Sequence, residues 1–370
     1  LIFLDEIQEC HQAIKSLRYF YEKIPGLHII SAGSLLDFAL ESGEFSMPVG
    51  RVHFIFMHPM SFYEYIYQRD KGDSLLLKQI RELRLTNPID DFTHQILLDE
   101  VKRYCILGGM PELIEKYFSK CADLNLVEAY SKIQSSILLN YREDFRKYSS
   151  KAKYKYLERV FQSVPKLVSK KFKYSNIDRD GDLNKDESKA LKEATLLLSK
   201  ANIINYVKRT SMAGLPLEAE ASDRNFKTIF LDTGLMIKAL GSSNDILEEV
   251  LSAKDFHSIA SGAIAEQFVG QELLAMLPCY EEPKLYYWAR EDSHSSAEVD
   301  YLINIGTKIF PIEVKAGKTG RLTSLHMAVE KYKLPFGIRI SQKKLELENG
   351  VLSVPFYAIA EIPRLVKELL

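Results

Sequence analysis

The chain opens with a short apolar run that ends in two adjacent acids, the sequence LIFLDE at residues 1–6. A polar stretch with helical character follows through Tyr21, and a second apolar run, LHIIS, occupies residues 27–31. Short apolar strands that alternate with helices are typical of a parallel sheet buried between helices. The pattern therefore predicts an α/β fold whose acids lie at the carboxyl edge of a sheet, where ligands bind in open α/β folds. A third apolar run at 52–57 predicts a third strand.

The two acids resemble a Walker B segment, the half of a nucleotide site that binds magnesium and the attacking water. Asp5 would hold Mg²⁺, usually through water, and Glu6 would orient and polarise the attacking water. The second strand leads into Ser34, a small polar residue placed to sense the γ-phosphate. Arg51 follows Gly50 in a loop and is a candidate stabiliser of phosphate charge, acting on a neighbouring subunit. An acidic pair after a strand is also a common helix N-cap, but the ordered set favours the nucleotide site.

Several long motifs carry a resemblance to a known family that covers most of the chain. In order they read LIFLDEIQ, IISAGS, VGRVHFIFMHPMSFYEY, GGMPE, YREDFRKY, FLDTGLM, GAIAEQFVGQEL, EVDYLI and PIEVKAG. The chain resembles the prokaryotic AAA-type (P-loop) ATPases that carry a C-terminal domain of unknown function. The resemblance implies an ATP-dependent protein that acts near DNA.

One motif of these ATPases is missing from the 370 residues, the phosphate loop G-x-x-x-x-G-K-[ST]. The run GKT at 317–319 follows a strand, but the position five residues before Gly317 is Ile312 rather than glycine. The chain also begins directly at the Walker B strand and without Met, so we expect an N-terminally truncated sequence whose phosphate loop lies upstream. ATP belongs to the intact protein, and the chain as given is predicted to bind ATP weakly or not at all.

A second candidate site lies near the far end of the chain. Glu266 falls on a predicted helix, Asp300 enters a predicted strand, and Glu313 and Lys315 flank Val314 on another. Residues i and i+2 of a strand share a face, so Glu313 and Lys315 should project together. Glu266, Asp300 and Glu313 offer the oxygen ligands that Mg²⁺ prefers, and Lys315 would steady the charge that develops on phosphate.

This order of acids and lysine resembles the PD-(D/E)xK nuclease superfamily. Two other readings of the same residues remain open. Acids and lysines can alternate on an exposed strand for solubility, although the run IFPI before Glu313 is apolar. The domain can also be nuclease-like in fold and serve only to hold DNA or a partner. Cleavage and non-catalytic binding are both carried forward as hypotheses.

Residues 176–187, NIDRDGDLNKDE, match the oxygen spacing of an EF-hand loop, with Glu187 at position twelve. Three observations weaken a Ca²⁺ site: Asn176 stands where Asp is expected, no second EF-hand is present, and the family resemblance places a turn here. The favoured interpretation is a solvated turn in which Asp186 or a neighbour caps the following helix. Calcium stays a minority hypothesis.

A local basic run interrupts a chain whose net charge is only −1. Residues 146–173 hold ten Lys and Arg against one acid, Glu158, with aromatic residues interleaved. Such a run could follow a phosphate backbone with its aromatics placed for stacking. It could equally be an amphipathic helix whose aromatics pack inward while its lysines stay in water. Both interpretations can hold together.

The composition bears on the class of protein and on its cellular compartment. Charged residues make up 27% of the chain and no long uncharged apolar run occurs, which argues against a membrane protein. The four cysteines are scattered without C-x-x-C spacing, as expected of thiols in a reducing cytosol rather than of a disulfide framework or a zinc site. We therefore expect a cytoplasmic protein.

Together these features predict an α/β chain in four parts. They are a partial P-loop NTPase parallel sheet at 1–65, a helical lid at 66–145, a winged-helix-like middle at 146–250 and a PD-(D/E)xK nuclease-like domain at 251–370. The predicted function is that of a fragment of an AAA-family ATPase linked to a nuclease-like, DNA-associated domain, with a possible Mg²⁺-dependent nuclease activity. The alternative is a non-catalytic DNA- or protein-binding module on an inactive nuclease scaffold. Expected partners are DNA and further copies of the chain through Arg51.

Overall fold

The computed structural model of the chain describes residues 1–33, 47–119, 126–177, 184–242, 262–292 and 295–370. Its first part contains strand β1 (Ile2–Leu4), helix α1 (His11–Lys23) and strand β2 (Ile29–Ser31). The two strands are parallel, with Leu4 aligned to Ser31. Ile14 and Leu17 of α1 pack with Ile7 in a small apolar core. The strand–helix–strand prediction is therefore confirmed for residues 1–31.

The third strand predicted at 52–57 is wrong. This segment joins no strand ladder among the described residues, and its Phe56 backbone N–H donates instead to the carbonyl oxygen of Cys279 at 2.7 Å. Apolar composition alone does not make a strand, because a strand needs a neighbour that accepts its ladder of hydrogen bonds. Here the segment crosses to the far part of the chain.

The next part is helical, as the sequence predicted. Ser61 begins α2 with a capping box completed by Glu64, and Asp90 caps the long helix α4 through the backbone N–H of Thr93. The bounds are α2 (Phe62–Arg69), α3 (Leu75–Arg81), α4 (Asp91–Leu107), α5 (Pro111–Ser119) and α6 (Leu126–Tyr148). The sequence GGMP at 108–111 forms the turn between α4 and α5.

Two further helices, α7 (Lys151–Leu167) and α8 (Lys185–Lys200), precede the larger sheet. The side chain of Ser150 caps α7, which buries residues spaced i, i+3, i+4 and i+7 along one face: Leu157, Val160, Phe161 and Val164. Asn184 and Glu187 form the capping box of α8. Apolar residues at this spacing drive a helix onto the rest of the molecule.

The larger sheet has eight strands among the described residues, in the order β4-β3-β5-β6-β7-β8-β10-β9. Its pairs β3–β5, β7–β8 and β8–β10 are parallel and the others are antiparallel. The strand bounds are β3 (Ile204–Thr210), β4 (Ser222–Phe230), β5 (Leu285–Asp292), β6 (Ser295–Ile305), β7 (Lys308–Val314), β8 (Gly337–Ser341), β9 (Glu346–Glu348) and β10 (Val351–Pro355).

Helices cover both faces of this sheet. Successive residues of a strand point to opposite faces, and on β7 Phe310 belongs to the core that contains Phe268 of α10 (Gly262–Ala275). Its neighbour Ile309 belongs to a separate core with Leu325 of α11 (Thr323–Lys331). Helix α9 (Thr233–Ala239) follows β4, and α12 (Ile362–Glu368) ends the chain. The sheet is therefore sandwiched between α10 and α11.

These elements confirm a mixed α/β architecture with a sheet that contains parallel pairs. The order of α7, α8, β3 and β4 follows the winged-helix-like order expected from the sequence, but β3 pairs with β5 and joins the sheet of the C-terminal part. The winged-helix-like and nuclease-like assignments stay predictions. Of the helices in the described ranges, none combines the length and the apolar character needed to cross a bilayer.

Candidate functional site

The front site is built at the carboxyl end of β1. Asp5 and Glu6 are exposed there, and the Asp5 Oδ1 atom accepts the Glu6 backbone N–H at 3.1 Å. Glu6 adopts a left-handed backbone, with φ of 48°, and its carboxylate accepts a hydrogen bond from the Gln8 amide. Gly33 at the end of the neighbouring strand lies so close that an added Cβ would be 2.1 Å from Gln8 Oε1. The two strand ends thus hold Glu6 through the buried Gln8.

The end of α6 approaches this site, which sequence reasoning did not foresee. Lys147 forms an ion pair with Glu9 at 2.7 Å. Burial, and then the charge of Glu6, raise the pKa of Asp144 above its ordinary value. Both residues belong to the motif YREDFRKY, which the sequence analysis used for recognition without giving it a role. The motif places a mixed acidic and basic helix end beside the Walker B-like acids.

Of the other two predicted nucleotide residues, the structure describes only Arg51. Ser34 lies outside the described residues. Arg51 donates to Glu22 Oε1 at 3.0 Å and to the backbone oxygen of Val49 at 2.9 Å. Glu22 is the twelfth residue of α1, so it lies about 17 Å along that helix from its start beside the acids. A role for Arg51 within the same chain's front site is therefore not supported by this geometry.

The back site depends on an irregularity in strand β6. Tyr286 pairs with Leu302 and Trp288 with Val299, so β6 carries one more residue than β5 between the two pairs. Such a bulge turns side chains away from strict alternation and is common beside functional sites. Here Tyr301 donates to the backbone oxygen of Glu266 on α10 at 2.8 Å, while Asp300 Oδ2 accepts the Val314 backbone N–H at 2.8 Å.

A buried lysine that the sequence analysis did not single out occupies the centre of the back site. Lys227 on β4 is only 3% exposed. Its Nζ atom lies 3.5 Å from both Glu266 Oε2 and Asp300 Oδ1 and is ion-paired with Glu298 Oε1. It also lies 5.3 Å from the centre of the Tyr287 ring, within the range of a cation–π contact. The structure therefore gathers three carboxylates around an ammonium group.

Glu313 and Lys315 stand beside this group. Lys315 Nζ lies 2.6 Å from Glu313 Oε1, while Val314 between them is buried in the apolar core, as the alternation predicted. Glu313 is 8% exposed, and its Oε2 atom is buried without a hydrogen-bond partner among the described residues. Asp300 links the pair to the Lys227 cluster, since it acts electrostatically on both Glu266 and Glu313.

Burial and crowding shift the protonation of these groups. Burial alone would lower the pKa of Lys227, but Glu266, Asp300 and Glu298 outweigh it and raise that pKa above its ordinary value. Burial, and then the charge of Asp300, raise the pKa of Glu266 well above its ordinary value. The same two causes raise the pKa of Glu313 to about 7. The site therefore keeps Lys227 charged and makes Glu266 and Glu313 easier to protonate.

The arrangement does not fit a magnesium ion. Mg²⁺ requires oxygen ligands at about 2.0–2.1 Å in octahedral geometry. Two of the predicted ligands, Glu266 and Asp300, face the Lys227 ammonium, and Asp300 Oδ2 and Glu313 Oε1 are engaged by Val314 N–H and Lys315. Among the described residues, Glu313 Oε2 is buried without a hydrogen-bond partner. Across the described ranges, no three His, Cys, Asp or Glu side chains are grouped to hold a metal ion.

The structure describes part of the acidic loop and most of the basic run. Residues 178–183 of the EF-hand-like stretch lie outside the described residues, but Glu187, its twelfth position, closes the capping box with Asn184. Along the basic run, Phe161 and Phe172 are buried and Tyr154 and Tyr156 are half-buried, whereas the lysines of α7 are exposed. The described part of the run thus has the amphipathic character of the second interpretation, with Phe161 and Phe172 packed inward and Tyr154 and Tyr156 partly exposed.

Several remaining motifs meet in one buried polar joint. Asp232, fully buried at the start of α9, accepts the backbone N–H groups of Leu235 at 2.9 Å and of Gly109 at 2.6 Å. Gln271 on α10 accepts the Thr233 backbone N–H at 3.0 Å. Glu272 on the same helix accepts the Phe62 backbone N–H at 2.9 Å. The motifs GGMPE, FLDTGLM, HPMSFYEY and GAIAEQFVGQEL therefore share a structural role.

Comparison with protein families agrees with this division of the chain. Residues 1–66 match the model of an AAA domain. Residues 98–245 match a domain of unknown function, DUF8612, and residues 261–359 match another, DUF4143. The resemblance to AAA-type ATPases with C-terminal domains of unknown function is confirmed. Searches of curated proteins and of solved structures found no match.

The AAA match indicates an ATPase-like protein for which nucleotide binding is the general expectation. The DUF8612 match spans position 145, where the sequence analysis divided a helical lid from a winged-helix-like region. The buried polar joint includes residues from both sides of position 145, because the Gly109 backbone N–H donates to Asp232. The motifs of the first, second and third matched regions are thus physically connected.

Proposed function

We propose that this chain is part of an AAA-type, ATP-dependent protein that holds DNA and whose nuclease-like C-terminal domain does not cut it. The single observation that carries the proposal is the Lys227 ammonium among Glu266, Glu298 and Asp300. A buried positive charge at this place satisfies the acids that a cleaving site would present to a metal ion. The non-catalytic hypothesis is therefore preferred over a Mg²⁺-dependent nuclease.

Exposed lysines on α7 supply the proposed DNA contact. Lys151, Lys155 and Lys166 are exposed, and the spacing of the first two places them on one side of the helix. Their side chains can follow a phosphate backbone, which attracts lysine and arginine irrespective of base sequence. Sequence-independent holding of DNA is the activity that such a row of point charges supports.

The nucleotide part of the proposal rests on the family resemblance together with the front site. Asp5 would hold a nucleotide-bound Mg²⁺ and Glu6 would orient water, with Gln8 positioning Glu6. Arg51 would act on a neighbouring copy, since its Glu22 contact lies away from its own chain's acids. This arrangement requires a self-oligomer, and the scattered cysteines support a protein of the reducing cytoplasm.

Filter retention of a labelled DNA duplex at increasing salt tests DNA holding. The logarithm of affinity falls linearly with the logarithm of salt concentration, and the steepness of this line decreases by about 0.9 for each lost phosphate contact. A Lys151→Gln, Lys155→Gln, Lys166→Gln variant should therefore reduce the slope by about 2 to 3. The matched control exchanges three exposed lysines elsewhere, Lys78, Lys308 and Lys367. Retention that does not depend on salt would contradict the proposal.

Cleavage is the second candidate function, and one observation favours it. Glu313 Oε2 is buried beside Lys315 and accepts no hydrogen bond from the described residues. Plasmid nicking with Mg²⁺ or Mn²⁺ decides between the two. We expect no nicking by the wild-type chain. Nicking that disappears in Asp300→Ala would establish the nuclease and refute the non-catalytic proposal, whereas nicking that persists in Asp300→Ala would locate the activity elsewhere.

A further inference from the structure

An open groove of about 520 Å³ lies at the surface of the C-terminal part, where three connecting segments meet. They are residues 212–215 after β3, residues 307–309 at the turn from β6 into β7, and residues 332–335 after α11. Most of these residues are exposed, so the groove is open to solvent rather than enclosed. Its volume lies within the range of about 300–1,000 Å³ that is usual for ligand sites.

The floor of the groove is apolar and belongs to the core beneath α11. Met212 and Ile309 are buried there, in the same core as Leu325. Leu334 packs against this core, whereas Leu215 leaves 42% of its surface exposed. An apolar side chain that is open to water beside a buried apolar floor gains free energy when another apolar group covers it. The groove is therefore suited to a ligand with large apolar side chains.

The walls of the groove are held by contacts within the chain. Trp288 Nε1 donates to Tyr332 Oη at 3.1 Å, and Tyr332 donates onward to the backbone oxygen of Ser211. Met212 and Lys333 both adopt left-handed backbones, with φ of 58° and 50°. Non-glycine residues rarely adopt this conformation, and where they do they cluster at ligand clamps and other functional sites. The segment after β3 is thus tied to the end of α11, and a ligand meets a preformed groove.

The rim of the groove carries two positive charges and, among its described lining residues, no acid. Lys308 lies at the turn from β6 into β7 and Lys333 lies after α11, and both are exposed. Neither ammonium forms an ion pair or a hydrogen bond with another described residue. A ligand that carries acids is drawn to such a rim, and one that carries lysines is repelled. The groove therefore favours a ligand that combines apolar side chains with carboxylates.

We propose that this groove binds an acidic, apolar peptide segment of a partner protein. Apolar side chains of the segment cover Met212 and Leu215, and its carboxylates lie beside Lys308 and Lys333. A nucleic-acid backbone suits the two lysines, but it would press charged phosphates against the apolar floor, which costs free energy. A fatty acid brings one carboxylate to two lysines, and an open groove leaves part of its acyl chain in water. The proposal does not depend on whether α7 holds DNA.

Selection from a library of short random peptides against the whole chain, followed by fluorescence polarisation of the enriched peptides, tests the proposal. We expect the enriched peptides to be rich in acids and in large apolar residues. The double variant Lys308→Glu, Lys333→Glu should weaken their binding by about tenfold or more, because it places like charges together. Leu215→Asp should weaken binding by a similar factor, because it puts a charge into the apolar contact. All three positions are exposed, so folding is not at risk, and thermal melting of each variant checks this.

Matched controls change exposed residues outside the groove. Lys367→Glu on α12 and Leu196→Asp on α8 should both bind the enriched peptides as the wild type does. The variant Lys151→Gln, Lys155→Gln, Lys166→Gln should do so as well. A failure of DNA holding is therefore distinguished from a failure of the groove.

Several results would overturn the proposal. They are the absence of any enriched peptide, enrichment of basic or purely polar peptides, and equal binding of the enriched peptides by the wild type and the folded groove variants. Sedimentation of the chain examines a second copy as the occupant. Self-association that is lost in Leu215→Asp, without binding of any peptide, assigns the groove to a second copy and overturns the choice of a partner protein. Peptide binding that requires both Leu215 and the two lysines supports the proposal.

Discussion

Lys227 is expected to contribute strongly to stability, because its ammonium compensates the charges of acids that burial would otherwise penalise. Removing one partner of a buried ion pair commonly destabilises a protein by about 3–5 kcal/mol, since the remaining charge is left without compensation. We therefore expect Lys227→Met to lower the free energy of unfolding by about that amount near neutral pH. The loss should shrink at acid pH, where Glu266, whose pKa is raised, is protonated. Urea denaturation at two pH values measures both effects.

The matched control for Lys227 is Lys308→Met, because Lys308 is exposed on the same sheet. A substitution of an exposed side chain is expected to change stability by less than about 0.5 kcal/mol. Adding Glu266→Gln to Lys227→Met should recover part of the loss, since it removes one uncompensated acid. A Lys227→Met protein as stable as the Lys308→Met protein would show that the acids do not depend on the lysine.

Glu272 gives the buried joint a defined dependence on pH. Complete burial raises its pKa from 4.5 to about 8. Between these two values the folded protein retains a proton that the unfolded chain has released, so the free energy of unfolding falls as pH rises and levels off above about 8. Glu272→Gln keeps an oxygen for the Phe62 N–H but cannot ionise. Its stability at pH 8 should exceed that of the wild type by about 2 kcal/mol or more.

Chemical denaturation of Glu272→Gln between pH 5 and pH 8 checks this prediction. The difference from the wild type should be small at the acid end and grow toward pH 8. Glu115→Gln, an exposed acid on α5, serves as the control and should follow the wild type throughout. A constant difference across the range would mean that Glu272 does not titrate with a raised pKa.

Sequence reasoning reached some of these residues and missed others for physical reasons. Alternation along a strand was enough to place Glu313 and Lys315 together, because it is a local property of the backbone. Alternation could not identify Lys227, since nothing in the run DRNFKTIF shows which strands will pair beside this strand. Asp300 was identified as a site residue, but its direction depends on the β6 bulge, which arises from pairing with β5.

Helix α10 contacts both the Lys227 cluster and the buried polar joint. Its residue Glu266 faces the Lys227 cluster, and Gln271 and Glu272 reach the joint behind α4 and α9. Residues 267, 271 and 272 are buried although polar, because each accepts backbone N–H groups from another element. An apolar helix at this place would leave those donors without partners, which costs about 1–3 kcal/mol each. The polar residues of the motif GAIAEQFVGQEL are thus explained by the backbone N–H groups that they bind.

The turn between α4 and α5 provides a sensitive test of the joint. A Cβ on Gly109 would lie 2.3 Å from the backbone oxygen of Met60. Gly109→Ala should therefore force the backbone apart and lower the free energy of unfolding by about 1–3 kcal/mol. Gly214→Ala is the matched control, because nothing lies within 4 Å of a Cβ at that position.

Thermal or urea denaturation compares the two glycine variants. Equal stability would indicate that the segment around Met60 does not pack against the turn. The failed strand at 52–57 follows from the same long-range packing: Phe56 bonds to Cys279, more than two hundred residues away in the chain. Local hydrophobic pattern predicted its apolar character but not its partner, and β3 and β4 likewise joined the C-terminal sheet through a pairing that spacing does not reveal.

At the scale of the whole molecule, the AAA segment and the C-terminal domains are tied together by specific contacts. Lys147 on α6 reaches Glu9 beside the front acids, and Phe62, just inside the end of the AAA match, is held by Glu272. The sequence predicted the order of these parts and their α/β class. Their mutual contacts required the structure, because they join positions that are far apart in the chain.

The front site makes a prediction for the chain of 370 residues as a whole. A phosphate loop supplies the backbone N–H groups and the lysine that cradle nucleotide phosphates, and the sequence contains no such motif. Asp5 and Glu6 are both acidic, so they would repel nucleotide phosphates unless a metal ion lies between. We therefore expect this chain to bind a labelled ATP analogue weakly in a fluorescence titration with Mg²⁺, and Asp5→Asn to leave that weak binding unchanged. Micromolar binding that is lost in Asp5→Asn would show that the front site holds nucleotide without a phosphate loop.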